Sequence, residues 1–123
     1  MSENALKRIA IVMARDNGVF QASQKLSAGV IHRRLSTHFP RHHYNLMSVR
    51  LYLFRLFEAN QVTAGQRGGP PIYQLTDVGF AAAEEHWKLR EELGYTEPAI
   101  HSVADTAAGI IAASAKEFIP AAV

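Results

Sequence analysis

Residues 48–80 constrain the fold of this chain most, because they force three changes of secondary structure in quick succession. Apolar residues recur every three or four positions up to Asn60, which is the spacing of a helix with one buried face. The tip at 66–71, Gln-Arg-Gly-Gly-Pro-Pro, cannot continue that helix. Short strand-like stretches flank the tip at 62–66 and 72–75. The order predicted is a helix, a β-hairpin with a basic glycine tip, and a further helix.

Capping residues mark where most of the predicted helices begin. Serine, threonine and asparagine side chains accept hydrogen bonds from the free N–H groups of a first helical turn. Pro40 and Gly94 act as stop signals further along the chain. The predicted helices are 4–15, 28–38 after Ser27, 46–60 after Asn45, and 77–93 after Thr76.

The spacing of apolar residues assigns a buried face to the first and third helices. In the first helix Arg8 falls outside that face. In the third helix the outward positions include residues that are themselves apolar. The buried faces are expected to consist of Leu6, Ile9, Ala10 and Met13 in the first helix, and of Leu46, Val49, Leu53 and Leu56 in the third.

This order of elements predicts a mainly α fold with a small β-hairpin wing, that is, a winged helix-turn-helix followed by C-terminal helices. We expect a winged domain at 1–93 and a C-terminal helix at 94–123. An apolar row in the last segment predicts pairing of two subunits, although the row could instead pack against the first helix of its own subunit. The row consists of Ile100, Val103, Ala107, Ile110, Ile111 and Phe118.

Composition excludes several classes of protein. The 123 residues are enough for one domain with its own core. With no cysteine in the chain, disulfides, zinc–thiolate sites and cysteine nucleophiles are excluded, which fits a reducing cytoplasm. No apolar run approaches the length of a membrane span, and the first residues do not form a signal peptide. A cytoplasmic protein without a membrane partner is expected.

Charge is divided unevenly along the chain. Residues 1–75 hold 10 Lys and Arg against 3 Asp and Glu, a net charge of +7, whereas residues 76–123 hold 3 against 8, a net charge of −5. The basic part coincides with the helix-turn-helix pattern. Such segregation is typical of a surface that binds a polyanion, and double-stranded DNA is the expected partner.

The third helix carries the first group of candidate DNA-binding residues. Arg50 and Ser48 lie in its first turns, where an arginine or a serine can bond a base edge in the major groove. Arg55 lies further along and is expected to contact a phosphate. Asn45, Met47 and Leu51 complete this group.

Two further groups lie on either side of that helix in the sequence. At the wing tip, glycine lets the backbone approach a phosphate or a minor groove while an arginine supplies charge. The segment between the second and third helices is dense in donors and is expected to contact the DNA backbone. The candidates are Gln66, Arg67 and Gly68 in the wing, and Arg33, Arg34, Arg41 and His43 before the third helix. Protonated histidines in that segment would strengthen binding in mild acid.

Met47, Leu51 and Phe54 form a second apolar stripe, opposite the buried face of the third helix. A thymine methyl group could accept one such contact in a major groove. Three of them make a patch, which either an N-terminal segment or a partner subunit could cover. Alternatively, the winged helix is a module that binds another protein.

Enzymatic chemistry has little support in the sequence. There is no glycine-flanked nucleophile motif and no dinucleotide or Walker fingerprint. Pro40 breaks the helical spacing between His38 and His42, and no acidic residue or cysteine accompanies them as a metal ligand. We expect no catalytic residues, no metal and no cofactor.

Residues 44–85 resemble the PadR and MarR families of winged-helix transcriptional regulators. The matching stretches are Ser48-Val49-Arg50-x-x-Leu53-x-x-Leu56, then Glu58-Ala59-Asn60-Gln61-Val62, then Gly68-Gly69-Pro70, and finally Tyr73-Gln74-Leu75-Thr76-Asp77-Val78-Gly79. The resemblance implies a homodimeric DNA-binding transcriptional regulator, with the third helix in the major groove and the wing on the flanking backbone. A plasmid or phage partition or replication accessory protein would use the same DNA face and is an open alternative.

Overall fold

The computed structural model describes residues 2–16, 18–22, 24–66 and 68–97. Arg67 of the wing tip lies outside these ranges, and so does the whole apolar row expected to pair two subunits, which is Ile100, Val103, Ala107, Ile110, Ile111 and Phe118. The roles predicted for these residues, and the division of the chain near Gly94, therefore stay predictions.

The described elements follow the predicted order. The helices are α1 (Ser2–Ala14), α2 (Ala28–His38), α3 (Leu46–Glu58), α4 (Asp77–Trp87) and α5 (Arg90–Leu93). The strands are β1 (Arg15–Asp16), β2 (Val19–Phe20), β3 (Leu26–Ser27), β4 (Val62–Gly65) and β5 (Ile72–Leu75). Strands β4 and β5 form the antiparallel wing hairpin, and β3 pairs with the other edge of β5. The predicted winged helix-turn-helix is confirmed.

The caps predicted for α2 and α3 are present. The hydroxyl oxygen of Ser27 accepts a hydrogen bond from the N–H of Val30 at 3.3 Å. The side-chain oxygen of Asn45 accepts one from the N–H of Ser48 at 2.8 Å. Each bond satisfies an N–H group that a helix start leaves without an internal partner, so both helices begin where the sequence indicates.

Helix α1 departs from the prediction, because it is buried on every side rather than on one. Every residue from 9 to 14 is at most 1% exposed. Arg8, which was expected outside the buried face, is only 7% exposed. The helix contacts α2, α3 and α4 at once. A helix enclosed in this way needs apolar residues all round, which explains the unbroken run Ile-Ala-Ile-Val-Met-Ala at 9–14.

Two other segments differ from, or add to, the predicted elements. Strands β2 and β3 lie between α1 and α2, where the sequence analysis named no element. The helix predicted at 77–93 is divided into α4 and α5 by Lys88 and Leu89. Gly94 ends α5 in the left-handed conformation (φ 90°), as its stop signal predicts. No helix of the described residues is long and apolar enough to cross a membrane.

The wing is joined to α3 and α4 by one compact junction. Asn60 takes the left-handed conformation (φ 62°) after α3. Thr76 then binds the chain there twice: its hydroxyl donates to the carbonyl of Asn60 at 2.6 Å, and its N–H donates to the carbonyl of Gln61 at 3.0 Å. The same hydroxyl accepts from the N–H of Gly79 at 3.0 Å, which caps α4. This junction fixes where the wing stands beside α3.

We expect Gly79→Ala to destabilise the fold strongly. A Cβ atom at Gly79 would overlap the backbone carbonyl of Gln61, and that carbonyl is held by the N–H of Thr76. Overpacking of this kind typically costs about 1–3 kcal/mol, and a backbone obstacle puts this case at the upper end. Denaturant unfolding followed by circular dichroism measures the loss.

The matched control is Gly69→Ala, because a Cβ atom there meets nothing within 4 Å. Equal stability of the two variants would contradict the packing assigned to Gly79.

Candidate nucleic-acid interface

The inner face of α3 fixes which of its side chains point outward. Val49, Leu53 and Leu56 are buried, and α3 contacts both α1 and α2 through this face. At 3.6 residues per turn, Met47, Leu51 and Phe54 lie on the opposite side of the helix. The buried face predicted from the sequence is confirmed for these three residues, Val49, Leu53 and Leu56, whereas Leu46, its fourth member, is only half-buried.

The outer face of α3 is apolar along its centre. Met47 is 74% exposed, Leu51 54%, Phe54 55% and Phe57 47%. We call these four residues the α3 stripe. The sequence prediction contained the first three and missed Phe57. Exposed apolar side chains are ordinary when scattered, but a contiguous row on one helix marks a surface that meets something else.

The polar residues predicted on α3 have different roles. Arg50 is exposed beside the α3 stripe, and Arg55 is exposed on its other flank. The side chain of Asn45 is engaged in capping the helix, and Ser48, half-buried, supplies the N–H that it binds. Arg50, Arg55 and Glu58 are therefore the charged side chains that this helix presents outward, two positive and one negative.

A cleft of about 520 Å³ lies between the start of α2, the first half of α3 and the wing. Gly29 of α2, Arg50 of α3 and Pro71 of the wing line it. The N–H groups of a first helical turn carry partial positive charge and suit an anion. The cleft thus combines a helix N-terminus with an arginine, an arrangement that fits a backbone phosphate.

Three of the four candidates before α3 are exposed, and one is not. Arg33, Arg41 and His43 face solvent. Arg34 is turned inward: its guanidinium donates to the carbonyl of Val12 at 3.0 Å and to the Asp16 carboxylate at 3.2 Å. A third bond, to the Gln24 side chain at 2.8 Å, completes its set. Arg34 therefore ties α2 to the end of α1, and it is not available at the surface that α3 forms.

The turn between α2 and α3 is fastened to the core by a buried arginine. Arg8 donates through Nη1 to the hydroxyl of Tyr44 at 2.8 Å, and through Nε to the carbonyl of Leu93 at 2.9 Å. Its guanidinium also lies over the ring of Phe39, 5.8 Å from the centroid. On the same turn, the carbonyl of Tyr44 is 2.6 Å from Nε2 of His32. Two helices therefore hold the residue that precedes the cap of α3.

Nearby charge also acts on His42 of this turn. Burial lowers the pKa of His42, and the positive charges of Arg8, Arg41 and His43 lower it further. A lowered pKa keeps the imidazole neutral further into acid than a free histidine. His42 is therefore not the histidine that would add charge to this surface in mild acid.

The conformation of the wing tip depends on a glycine and on a hydrogen bond within the tip. Gly68 takes the left-handed conformation (φ 68°), which glycine adopts without strain. The side-chain amide of Gln66 donates to the carbonyl of Gly69 at 2.6 Å, so this predicted DNA contact is used within the tip. Both Gln66 and Gly68 are exposed.

The charge segregation seen in the sequence becomes a separation in space. Helix α1 contacts both α3 and α4. The acidic residues that follow the wing lie exposed on α4 and α5, namely Glu84, Glu85, Glu91 and Glu92. Among the described residues, the exposed acidic side chains that follow the wing therefore belong to α4 and α5, whereas exposed arginines belong to α2, α3 and the turn between them.

Several solved structures are similar to this fold at low sequence identity. "TubR bound to 24 bp of tubC" from Bacillus thuringiensis serovar israelensis pBtoxis has a TM-score of 0.53 at 15% identity, covering 72% of this chain and 84% of that chain. A structure of the type III plasmid segregation protein TubR has 0.52 at 16%, covering 72% and 76%. AF1382 from Archaeoglobus fulgidus has 0.52 at 18%, covering 76% and 90%. No family model matches the sequence, and no curated protein matches it significantly.

At these identities the likeness concerns the fold. The chain shares the winged helix-turn-helix architecture of TubR and AF1382. The more specific resemblance to the PadR and MarR families stays a prediction.

The sequence analysis did not identify the buried residues that fix the position of α3 from the core side, chiefly Arg8. Arg8 looked like a surface charge because it interrupts the 3-4 spacing of the first helix. A signal was nevertheless present, since the run of six apolar residues directly after Arg8 indicates a helix enclosed on all sides. A charged residue next to such a run is expected to be largely buried together with it.

We expect Tyr44→Phe to destabilise the protein by about 1–3 kcal/mol, because it leaves an N–H of the buried Arg8 guanidinium without its acceptor. Thermal or denaturant unfolding measures the effect. Tyr52→Phe is the matched control, since the Tyr52 ring packs edge-on against Tyr44 and the variant keeps that ring. Similar losses in both variants would mean that the bond from Arg8 contributes nothing specific.

Proposed function

We propose that this protein binds double-stranded DNA through the outer face of α3, with the wing against the flanking backbone. The observation that carries the proposal is the cleft where the start of α2, Arg50 of α3 and the wing meet. In this geometry α3 enters the major groove, Arg50 reaches a base edge, and the first turn of α2 receives a phosphate.

The distribution of charge supports the same orientation. Arg33, Arg41, Arg50 and Arg55 are exposed on α2, α3 and the turn between them. The acidic surface of α4 and α5 then faces away from the phosphates, as repulsion between like charges requires. Arg67, predicted at the wing tip, would add one positive charge beside the backbone.

Two biological roles for DNA binding have support, one in plasmid partition and one in transcriptional regulation. The likeness to TubR, a plasmid segregation protein seen bound to 24 bp of tubC, supports a role in plasmid partition. The Tyr73–Gly79 motif and the wing glycines support a transcriptional regulator of the PadR or MarR kind. Of the two, we propose partition, because the likeness to TubR extends over 72% of the chain.

We further propose that two copies bind one site, and that binding involves no catalysis. A homodimer presents two third helices to major grooves about one helical turn apart. The apolar row between Ile100 and Phe118 is the interface that the sequence predicts for this pairing. A protein of this kind acts in the compartment that holds the DNA. This agrees with the cytoplasmic location that the sequence analysis expects for a chain without cysteine.

We expect Arg50→Ala to weaken DNA binding about tenfold and to reduce the salt slope of the affinity by about one. The reason is that the variant loses a base contact in the major groove and, with it, a positive charge that neutralises nearby phosphate. Fluorescence anisotropy with mixed duplex fragments at low and moderate salt measures both quantities, and sedimentation of the complex gives the number of copies bound.

Lys88→Ala is the matched control, because Lys88 is highly exposed on the acidic side and its loss changes the net charge equally. If both variants weakened DNA binding equally, the effect of Arg50→Ala would be explained by the change in net charge alone. Absence of any binding by the native protein at low salt would overturn the proposal.

A second function is favoured by the α3 stripe, whose four apolar side chains are unusual for a helix that meets DNA. In that case the fold is a protein-interaction module, and the stripe receives an apolar surface of another protein. Such interfaces depend on buried apolar anchors at their centre.

Leu51→Lys separates the two functions. We expect the variant to bind DNA at least as well as the native protein, because it adds positive charge to the face turned toward phosphates. A protein interface would instead lose an apolar anchor and bury an unpaired charge. Anisotropy with the same duplexes gives the answer, and a loss of DNA binding comparable to that of Arg50→Ala would argue against the proposed DNA face.

A further inference from the structure

Strand β4 forms one edge of the three-stranded sheet, and we call the outer side of Val62–Gly65 the β4 edge. The strand order is β3-β5-β4, so β5 lies between the other two strands. Thr63, Ala64 and Gly65 are all exposed. A strand at the edge of a sheet presents a row of backbone N–H and carbonyl groups that can pair with another extended chain. The β4 edge is therefore a candidate binding surface.

The register of the wing hairpin identifies the backbone groups that point outward. The N–H of Thr76 donates to the carbonyl of Gln61 at 3.0 Å, which makes these two residues a hydrogen-bonded pair. Such pairs alternate along an antiparallel ladder, and the Ala64–Tyr73 pair lies three residues away on each strand. The N–H and carbonyl of Ala64 are therefore turned away from β5. Among the described residues, none bonds these two groups from outside the hairpin.

The two edges of the sheet are protected to different degrees. Strand β3, at the other edge, has only two residues before α2 begins, and the exposed Lys25 precedes it. Charged side chains and very short strands are common means of blocking an edge. Strand β4 has four residues, Val-Thr-Ala-Gly, and they include no charge and no proline. The β4 edge is therefore the more accessible of the two to an extended chain.

On the side of α3, the β4 edge adjoins an apolar groove. The groove has a volume of about 260 Å³. Phe54 and Phe57 of the α3 stripe line it, together with Tyr73 of β5 and Ala64 of β4. Two members of the stripe thus belong to a concave site beside β4. A groove lined in this way suits a large apolar side chain.

On the opposite face of the wing, the same edge adjoins a groove with polar lining. This groove has a volume of about 440 Å³, and Thr63 of β4, Gln74 of β5 and Lys25 line it. Ala64 and Gly65 line both grooves. Among the described residues, Lys25 is the only charged one that lines either groove. The charged side chain that fits beside it is a carboxylate.

A strand added at the β4 edge would use both grooves at once. Side chains of an extended chain point alternately to the two faces of a sheet. A chain paired with Ala64 would place one side chain against Phe54 and Phe57, and the next side chain beside Lys25. Strand addition in general obtains affinity from main-chain hydrogen bonds and specificity from pockets for alternate side chains.

We infer that the β4 edge binds an extended segment of a partner protein in which large apolar residues alternate with acidic or hydroxyl residues. The N–H and carbonyl of Ala64 pair with one residue of that segment. Its apolar side chains enter the groove beside Phe54 and Phe57, and its carboxylates lie beside Lys25. This site does not rest on the proposed DNA binding, and its tests are made without DNA.

Peptide binding tests the chemistry of the segment. Two sets of synthetic seven-residue peptides with the same composition are compared on the full chain. One set alternates phenylalanine, leucine or valine with glutamate or threonine, and the other groups its apolar residues in one block. We expect the blocked set to bind about tenfold more weakly, because fewer of its apolar side chains reach the groove. Equal binding by the two sets, or none by either, would overturn the inference.

Methylation of the peptide backbone tests the strand pairing. Each nitrogen of a binding peptide is methylated in turn, which removes one N–H donor at a time. In a strand paired with β4, every second N–H points toward β4. We therefore expect the affinity to fall about tenfold at alternate positions and to change little between them. A uniform response along the peptide would show that it binds by apolar contact without strand pairing.

Ala64→Pro tests the same bond from the side of the protein. Proline removes the outward N–H and leaves the hydrogen bonds to β5 in place, as proline on an edge strand does. We expect about tenfold weaker peptide binding. Ala64→Ser is the matched control, because it keeps the N–H, and it should bind as the native protein does. Equal affinities of the two variants would contradict the pairing, and the methylated peptides decide the question if Ala64→Pro does not fold.

Amide hydrogen exchange at Ala64 identifies the occupant of the edge. We expect fast exchange in the protein alone and protection when an alternating peptide is added. Protection that is already present in the protein alone would overturn the inference. If that protection were lost on dilution together with a fall in the mass in solution, a second copy would occupy the edge. If it persisted at every concentration, a segment of the same chain would occupy it.

Discussion

The burial of α1 on all sides is the constraint on which the rest of the fold depends. The three longer helices of the winged domain that follow it find their positions by contact with this one, since α2, α3 and α4 each pack against it. Turning α3 about its axis would expose Val49, Leu53 and Leu56, at a cost of about 1.5–3 kcal/mol for each side chain. The outer face of α3 is therefore set by the core and not by what it binds. Arg50 and the α3 stripe point outward because Val49, Leu53 and Leu56 hold the other side of the helix in the core.

Arg8 shows the cost of holding the turn before α3 in one position. A buried charge is expensive, and exchanging it for an apolar residue is often neutral or stabilising in proteins. The acceptors named for Arg8, the Tyr44 hydroxyl and the Leu93 carbonyl, are uncharged. Its retention is therefore better explained by geometry than by stability, because one planar group reaches the turn, α5 and the Phe39 ring together. A longer or looser turn would let the cap of α3 shift relative to the wing.

The parts of this structure that were predictable are those decided locally. Ser27, Asn45 and Thr76 each cap a helix through a bond to a residue three positions away, so the signal lies within a few letters of sequence. Arg34 and Arg8 were misjudged for the opposite reason. Their partners lie far along the chain: Val12 is 22 positions from Arg34, and Leu93 is 85 positions from Arg8. Spacing along one helix cannot reveal which arginine will be turned inward when the packing around it is not yet known.

Two kinds of arginine contact would have different physical signatures at the proposed DNA interface. An arginine that neutralises a phosphate releases counterions, so its loss makes the affinity fall less steeply with salt. An arginine that bonds a base edge contributes to the preference for one DNA sequence over another. Arg50 lines the cleft together with Gly29 of α2 and Pro71 of the wing, a position from which either contact can be made. The salt slope and the sequence preference of one variant, measured together, therefore distinguish a residue that reads bases from a residue that positions the backbone.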